Sequence, residues 1–276
     1  MRGWYNSFLP FEEFLHDLRL LAQDFLEDER LMPSVLLNGS SDILSLPDLW
    51  AMLGDAFAGR VCFAADELLP LWCNLASPAR MGTATGRYAE QLDVLRRLSA
   101  ERSTLRLMDI GCGVGLGTFE AAAIASENCD SVEAVGITSE GLEAWMAANR
   151  RIPHDRGREK QFPPRLHKRT HIVFRRGLAE NAYDGFVYDV VLCNGLAGGR
   201  FLNQPRQIAA FLDSLRRLIA PNGLVLMSNH FHDGTRSGVE AVMQHAAASG
   251  WRIAGDWRNL RMSLSSNEVT IQNPFS

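Results

Sequence analysis

The chain has 276 residues, 46% hydrophobic and 22% charged, with a formal net charge of −4. That is room for one domain of about 180 residues plus an extension, or for one large domain, and the apolar fraction excludes a chain dominated by disorder. No uninterrupted apolar run approaches the roughly 20 residues of a membrane-spanning helix. The best candidate, 61–76, is broken by Asp66, Glu67 and Pro70.

From the start of the chain, MRGWYNSFLP lacks the apolar core and cleavage-like site of a secretory leader. Residues 11–26 predict an amphipathic helix, with Phe11, Phe14, Leu15, Leu18, Leu21, Ala22 and Phe25 at helical spacing. Residues 38–42 are a polar loop. Ser45 and Pro47 read as the cap and first-turn proline of a helix running to about residue 58. Residues 61–76 and 86–100 predict two more helices. The first 102 residues are therefore expected to be an all-helical cap or lid. The first 100 are also acidic, with 14 Asp and Glu against 8 Arg.

The pattern changes at residue 103. Strands are predicted at 104–110, 131–137, 171–175, 187–193 and 223–228, and helices at 118–126, 139–150, 205–219 and 237–249. Pro221-Asn222-Gly223 reads as the turn into strand 223–228. The chain closes on two strands, Trp251–Trp257 and Glu268–Gln272, with no helix between them. Strands alternating with helices over about 170 residues predict an α/β domain at 103–276. Its sheet is doubly wound and mostly parallel, with an antiparallel edge from the closing pair.

The charge is unevenly spread. Residues 150–176 hold ten Arg and Lys against Asp155 and Glu159, a net +8, which leaves −12 for the remainder. Such a segment is suited to nucleic acid, an acidic protein or a phosphorylated metabolite. The alternative is a solvated loop paired with the acidic remainder. Pro153, Pro163 and Pro164 make it a loop, not a continuous basic helix. Its place between the second helix and third strand sets it opposite the ligand-binding strand ends.

The five cysteines, Cys62, Cys73, Cys112, Cys129 and Cys193, are odd in number and scattered. They form neither a metal pattern nor a disulfide framework, and the expectation is a soluble, reduced, cytoplasmic protein with no metal.

The most informative stretch is Asp109-Ile-Gly111-Cys112-Gly113-Val-Gly115, between a predicted strand and a predicted helix. Parallel sheets bind ligands at the carboxyl ends of strands, where this turn must lie. A dinucleotide fingerprint needs a glycine at 116 or 118, which are Leu116 and Thr118. A phosphate-binding P-loop needs Gly-Lys-Ser/Thr, and no such triplet occurs. An acid at the strand end repels pyrophosphate and suits a cation.

This pattern resembles motif I of the class I S-adenosylmethionine-dependent methyltransferases, whose ligand carries an ammonium and a sulfonium. The resemblance covers about 104–273 and implies their seven-stranded sheet with a reversed last strand. It also implies cofactor contacts from Asp109, Gly111, Cys112, Gly113 and Gly115. The acid that normally ends the second strand to bind the ribose is replaced by Thr138, followed by Ser139 and Glu140. The acid that normally follows the third strand is replaced by Leu178, followed by Ala179. A weaker resemblance is to chemotaxis-receptor glutamate methyltransferases, through Thr83 and Arg87. It implies that Arg87 meets the cofactor carboxylate. That family's paired glutamates correspond here to Leu116 and Gly117.

Methyl transfer asks the enzyme for alignment, a dry site and sometimes a base. Asn194, after the fourth strand, is a candidate to orient an acceptor amine or meet the cofactor; its alternative role is a turn former. His230 and His232, after the fifth strand, are candidate general bases. The sequence supports O- or N-methylation of a small molecule, with methylation of RNA or an acidic protein through 150–176, or a non-catalytic binding protein, as alternatives.

Overall fold

The computed structural model describes residues 8–10, 60–62, 89–139, 141–152, 156–167, 169–198, 202–229 and 236–264. The chain divides into two compact units. One comprises Met1–Ala84, Gly113–Leu116 and Glu140–Phe162, and the other Thr85–Cys112, Gly117–Ser139 and Pro163–Ser276.

In the first unit, β1 (Phe8–Pro10) pairs antiparallel with β2 (Arg60–Cys62), with Leu9 opposite Val61. The expectation of an all-helical extension is therefore corrected. Pro10 and β-branched Val61 are poor helix formers, and Val61 suits a strand. The predicted helices at 11–26 and 45–58, and all but the start of 61–76, lie outside the described residues. The same unit holds α3 (Gly141–Asn149) and the one-turn α4 (Arg156–Glu159). That one turn lies within the basic segment, which is expected to be a loop and not a continuous helix. Glu159 accepts a hydrogen bond from the Ile152 N–H at 2.8 Å.

The second unit carries a seven-stranded sheet. Its strands are β3 (Thr104–Ile110), β4 (Ser131–Thr138), β5 (Thr170–Arg176), β6 (Tyr188–Leu192), β7 (Ile219–Ser228), β8 (Trp251–Gly255) and β9 (Asn259–Leu264). Their order is β5-β4-β3-β6-β7-β9-β8, and β9 alone runs against the direction of the other six. The doubly wound, mostly parallel sheet with a reversed last strand is as expected.

Central strands of a covered parallel sheet are buried on both faces, and β3 shows why TLRLMDI serves. Leu105 and Leu107 enter one core with Leu92, Val94 and Leu95 of α1 (Ala89–Ala100) and the alanines of α2 (Leu116–Ala125). Met108 and Ile110 enter the other, with α5 (Pro205–Leu218) and α6 (Arg236–Ala248). In α5, Ile208, Phe211, Leu212, Leu215 and Leu218 form the inward stripe, and Pro205 opens the helix.

Two local predictions are revised. The Pro221-Asn222-Gly223 turn is a bulge inside a strand that already starts at Ile219. Tyr188 pairs with Ile219 and Val190 with Leu224, and Asn222 takes φ +65°. The strand expected at Trp251–Trp257 ends at Gly255, and its partner is Asn259–Leu264, one place in from the edge; the strand expected at 268–272 lies outside the described residues. The reason is a tight turn that the pattern had run through. Asp256 Oδ1 accepts from the N–H groups of Arg258 (2.9 Å) and Asn259 (3.0 Å), an Asx-type reversal. No α-helix joins β5 to β6, and the sequence predicts none there. Residues 177–187 contain only a 3₁₀ turn, Ala179–Asn181. That strap is pinned by Asp184, which pairs with Arg175 (3.1 Å) and accepts from the Tyr188 hydroxyl at 2.5 Å.

Among the described residues, no helix is long and apolar enough to cross a membrane.

Candidate cofactor and active site

β3 delivers Asp109 to its carboxyl end, and the glycine turn follows. Gly111, Gly113 and Gly115 take φ of +78°, +54° and +82°. These are left-handed values that a side chain adopts at a cost of about 1–2 kcal/mol. The run of glycines is therefore a backbone requirement.

Asp109 is 5% exposed. Its Oδ2 accepts a hydrogen bond from the Thr118 hydroxyl on α2 at 2.6 Å. Oδ1 takes no hydrogen bond from a described residue. Burial pushes the carboxyl up to about 6, with the Thr118 bond pulling the other way. The group is thus largely anionic at neutral pH, but at a cost that a nearby cation would relieve.

Hydrogen bonds stitch successive strand ends together. The N–H groups of Gly111 and Cys112 both donate to Ile137 O at the end of β4, at 2.8 and 2.9 Å. One residue on, Thr138 O accepts from Gly177 N at 2.9 Å, just past β5. Thr138, in the place of the usual ribose-binding acid, is buried. Ser139 O accepts from Arg176 Nε at 3.0 Å. Leu178, in the place of the second missing acid, is 53% exposed. Ala179 opens the 3₁₀ turn and packs against the core. The positions are therefore brought to adjacent strand ends, without carboxylates at two of them.

Asn194 follows β6. Its Oδ1 accepts from Gln91 Nε2 (2.8 Å) and from Ser228 N (2.9 Å), and its Nδ2 donates to Gln91 Oε1 (3.0 Å). Both ends of the amide are engaged within the protein. Burial, with Asp109 nearby, pushes the Cys193 thiol up, so it stays neutral and is no nucleophile. Cys112 is buried within the turn. Arg87, His230 and His232 lie outside the described residues.

Two buried polar residues escaped the sequence reading. Gln91 is 6% exposed on α1. Its signal was a polar residue on the stripe of Leu92, Leu95 and Ser99. Glu143, in the first unit, is buried on the mostly apolar α3, its Oε2 4.0 Å from where a Cβ on Gly113 would stand. An acid among alanines was the available clue.

This donor set fits a cationic ligand with a flat, closely approaching body. A buried acid with one oxygen lacking a partner among the described residues precedes a turn in which Gly111, Gly113 and Gly115 carry no side chain. S-adenosylmethionine is such a ligand: Asp109 would face its cationic end, and the glycine turn would admit its backbone-hugging portion. Thr138 and Ser139 stand where a diol-binding acid is absent.

Residues 83–268 match the family described as Methyltransferase domain. Similar solved structures include the sugar N-methyltransferase KedS8 from Streptoalloteichus sp. It is 13% identical over 67% of this chain and 90% of that one, with a TM-score of 0.44. Another is the N-methyltransferase NodS from Bradyrhizobium japonicum, 15% identical over 63% and 93%, TM-score 0.42. A third is a ribosomal protein L11 methylase from Lactobacillus delbrueckii subsp. bulgaricus, 20% identical over 66% and 82%, TM-score 0.39. No curated protein sequence matches the chain. On the family match and the sheet order together, the chain belongs to the methyltransferase-domain family and is a class I S-adenosylmethionine-dependent methyltransferase.

Proposed function

We propose that this enzyme methylates an oxygen or nitrogen of a small molecule, beneath a cap drawn from residues 1–102. The observation that carries the reading is the half-partnered Asp109 carboxylate beside the glycine turn, a binding end built for a small cation. The bound cofactor supplies an activated methyl on its sulfonium. The chain's own residues then have to hold, align and dry the acceptor.

Asp109 holds the cationic end. Gly111, Cys112, Gly113 and Gly115 line the approach, and Thr138, Ser139, Leu178 and Ala179 border the nucleoside side. Arg87 holds the cofactor carboxylate. The engaged amide of Asn194 leaves it one free N–H, so its part is to shape the site beside acceptor and cofactor. His230 or His232 takes the acceptor's proton.

A second reading is methylation of RNA or an acidic protein. It is supported by the exposed Arg165, Arg169, His171 and Arg176 at and before β5. Residues 163–169, however, enter β5 at its amino end, while the glycine turn follows a carboxyl end. The small-molecule reading is preferred for that reason.

The test is a methyl-transfer assay with labelled S-adenosylmethionine on cell extract separated into metabolite, RNA and protein fractions. Label in the metabolite fraction supports the reading. Label confined to RNA or protein replaces it with the second. Calorimetric titration with S-adenosylmethionine and S-adenosylhomocysteine checks the alternative of a non-catalytic binder.

A further inference from the structure

We infer that Gln91 is a positioning residue for cofactor binding: from α1 it clamps Asn194, and through Asn194 it fixes the wall of the crevice that faces the glycine turn.

The crevice is defined by topology. From β3 the chain moves outward to β4 and β5, then returns to β6 and β7 on the other side. Ligands of doubly wound sheets bind at the carboxyl ends of the strands where the order reverses, here β3 and β6. One wall is the glycine turn after β3. The other is Asn194-Gly195-Leu196 after β6. The walls approach closely: a Cβ on Gly111 would lie 3.5 Å from Leu196 Cδ2.

The second wall has little packing of its own at its centre. Gly195 takes φ +70°, and a Cβ placed there would meet nothing within 4 Å. Leu196 packs against the apolar core, and the Asn194-Gly195 part is held by hydrogen bonds. Gly195 N donates to Ser228 O at 2.9 Å, and Asn194 Oδ1 accepts from Ser228 N at 2.9 Å. The backbone donor settles which way the Asn194 amide faces. Its other two bonds, at 2.8 and 3.0 Å, both go to Gln91, 103 residues away in sequence. α1 itself is seated by Leu92, Val94 and Leu95 in the apolar core. Removing the Gln91 amide therefore leaves the helix seated and both Ser228 bonds in place, but takes two of the three hydrogen bonds from the Asn194 side chain. A wall held less firmly costs ligand affinity, because a misplaced contact forfeits binding built on alignment.

The experiment measures S-adenosylhomocysteine affinity of the full chain by calorimetry, with the ligand-free melting temperature as companion. Gln91→Leu is expected to raise Kd about tenfold or more, since a pre-organised wall is worth at least one decade of affinity. The exchanged pair, Gln91→Asn with Asn194→Gln, rejoins two amides over the same total reach and is expected to restore Kd to within about threefold. Should Gln91→Leu not fold, Asn194→Asp serves under the same criterion, because it keeps the acceptor for Ser228 N and loses the donor to Gln91. A Kd that stays within about twofold of the native value overturns the proposal, whatever happens to the melting temperature. The readout needs no methyl acceptor, so it stands apart from the choice of substrate.

Discussion

The buried Asp109 sets binding against stability, and Asp109→Asn separates the two. Burial moves its carboxyl from 3.8 to about 6. A shift of about two units is worth about 3 kcal/mol at 1.36 kcal/mol per unit. The sign follows from proton counting. Between those values the folded chain holds the proton and the unfolded chain has lost it, so stability falls as pH rises from about 4 to about 6. Above that window the full penalty is present. Asn cannot ionise, yet its carbonyl can still accept from Thr118. At pH 7.5 the variant is therefore expected to unfold later by up to about 3 kcal/mol, or about 6 °C for a chain of this size. At pH 4 the two proteins should melt together. The same change removes the anion, and calorimetry should show S-adenosylmethionine Kd rising about tenfold or more. Thermal melts at both pH values, paired with titration at pH 7.5, check the argument. It is refuted if the stability difference is absent at pH 7.5 or equal at both.

The other expectations rest on separate features. Binding of S-adenosylmethionine should weaken as pH falls through about 6, because protonated Asp109 must release its proton to meet a cation. Calorimetry in buffers of different ionisation enthalpy would report that proton, and Asp109→Asn should abolish it. Gly238→Ala should destabilise the fold by about 1–3 kcal/mol or more, because its Cβ would stand 2.3 Å from Gly198 O. A denaturant midpoint unchanged from native would contradict the close approach. His230→Ala should lower turnover about tenfold or more with cofactor affinity unaltered, as loss of a general base does; equal turnover would remove His230 from the chemistry.

The sheet was legible because its strands are short apolar runs and its helices carry 3.6-residue stripes. β3 and α5 are the clearest cases. What escaped was decided by single polar contacts. The β8–β9 reversal depends on Asp256 turning back on two N–H groups, so a strand pattern read through it came out too long. At the site, the glycine turn announced itself because only glycine suits its left-handed φ values. Gln91 did not, since its partner lies in another part of the chain and periodicity carries no tertiary pairing. Asn194 was noticed for the right strand end, but its engagement by two partners could only be seen in three dimensions.

The placement of β9 has a consequence for how the chain is made. β8 ends at Gly255 and β7 at Ser228, yet neither touches the other in the sheet order, because the strand between them is the last of the seven. A nascent chain that has emerged as far as Arg258 therefore exposes two strand edges with unpaired backbone groups, one on β7 and one on β8. Asn259–Leu264 closes both at once. Such edges invite pairing with other chains. Until β9 is released those edges stay open to misassembly, and the last strand of the seven works as a zip between two strands already made.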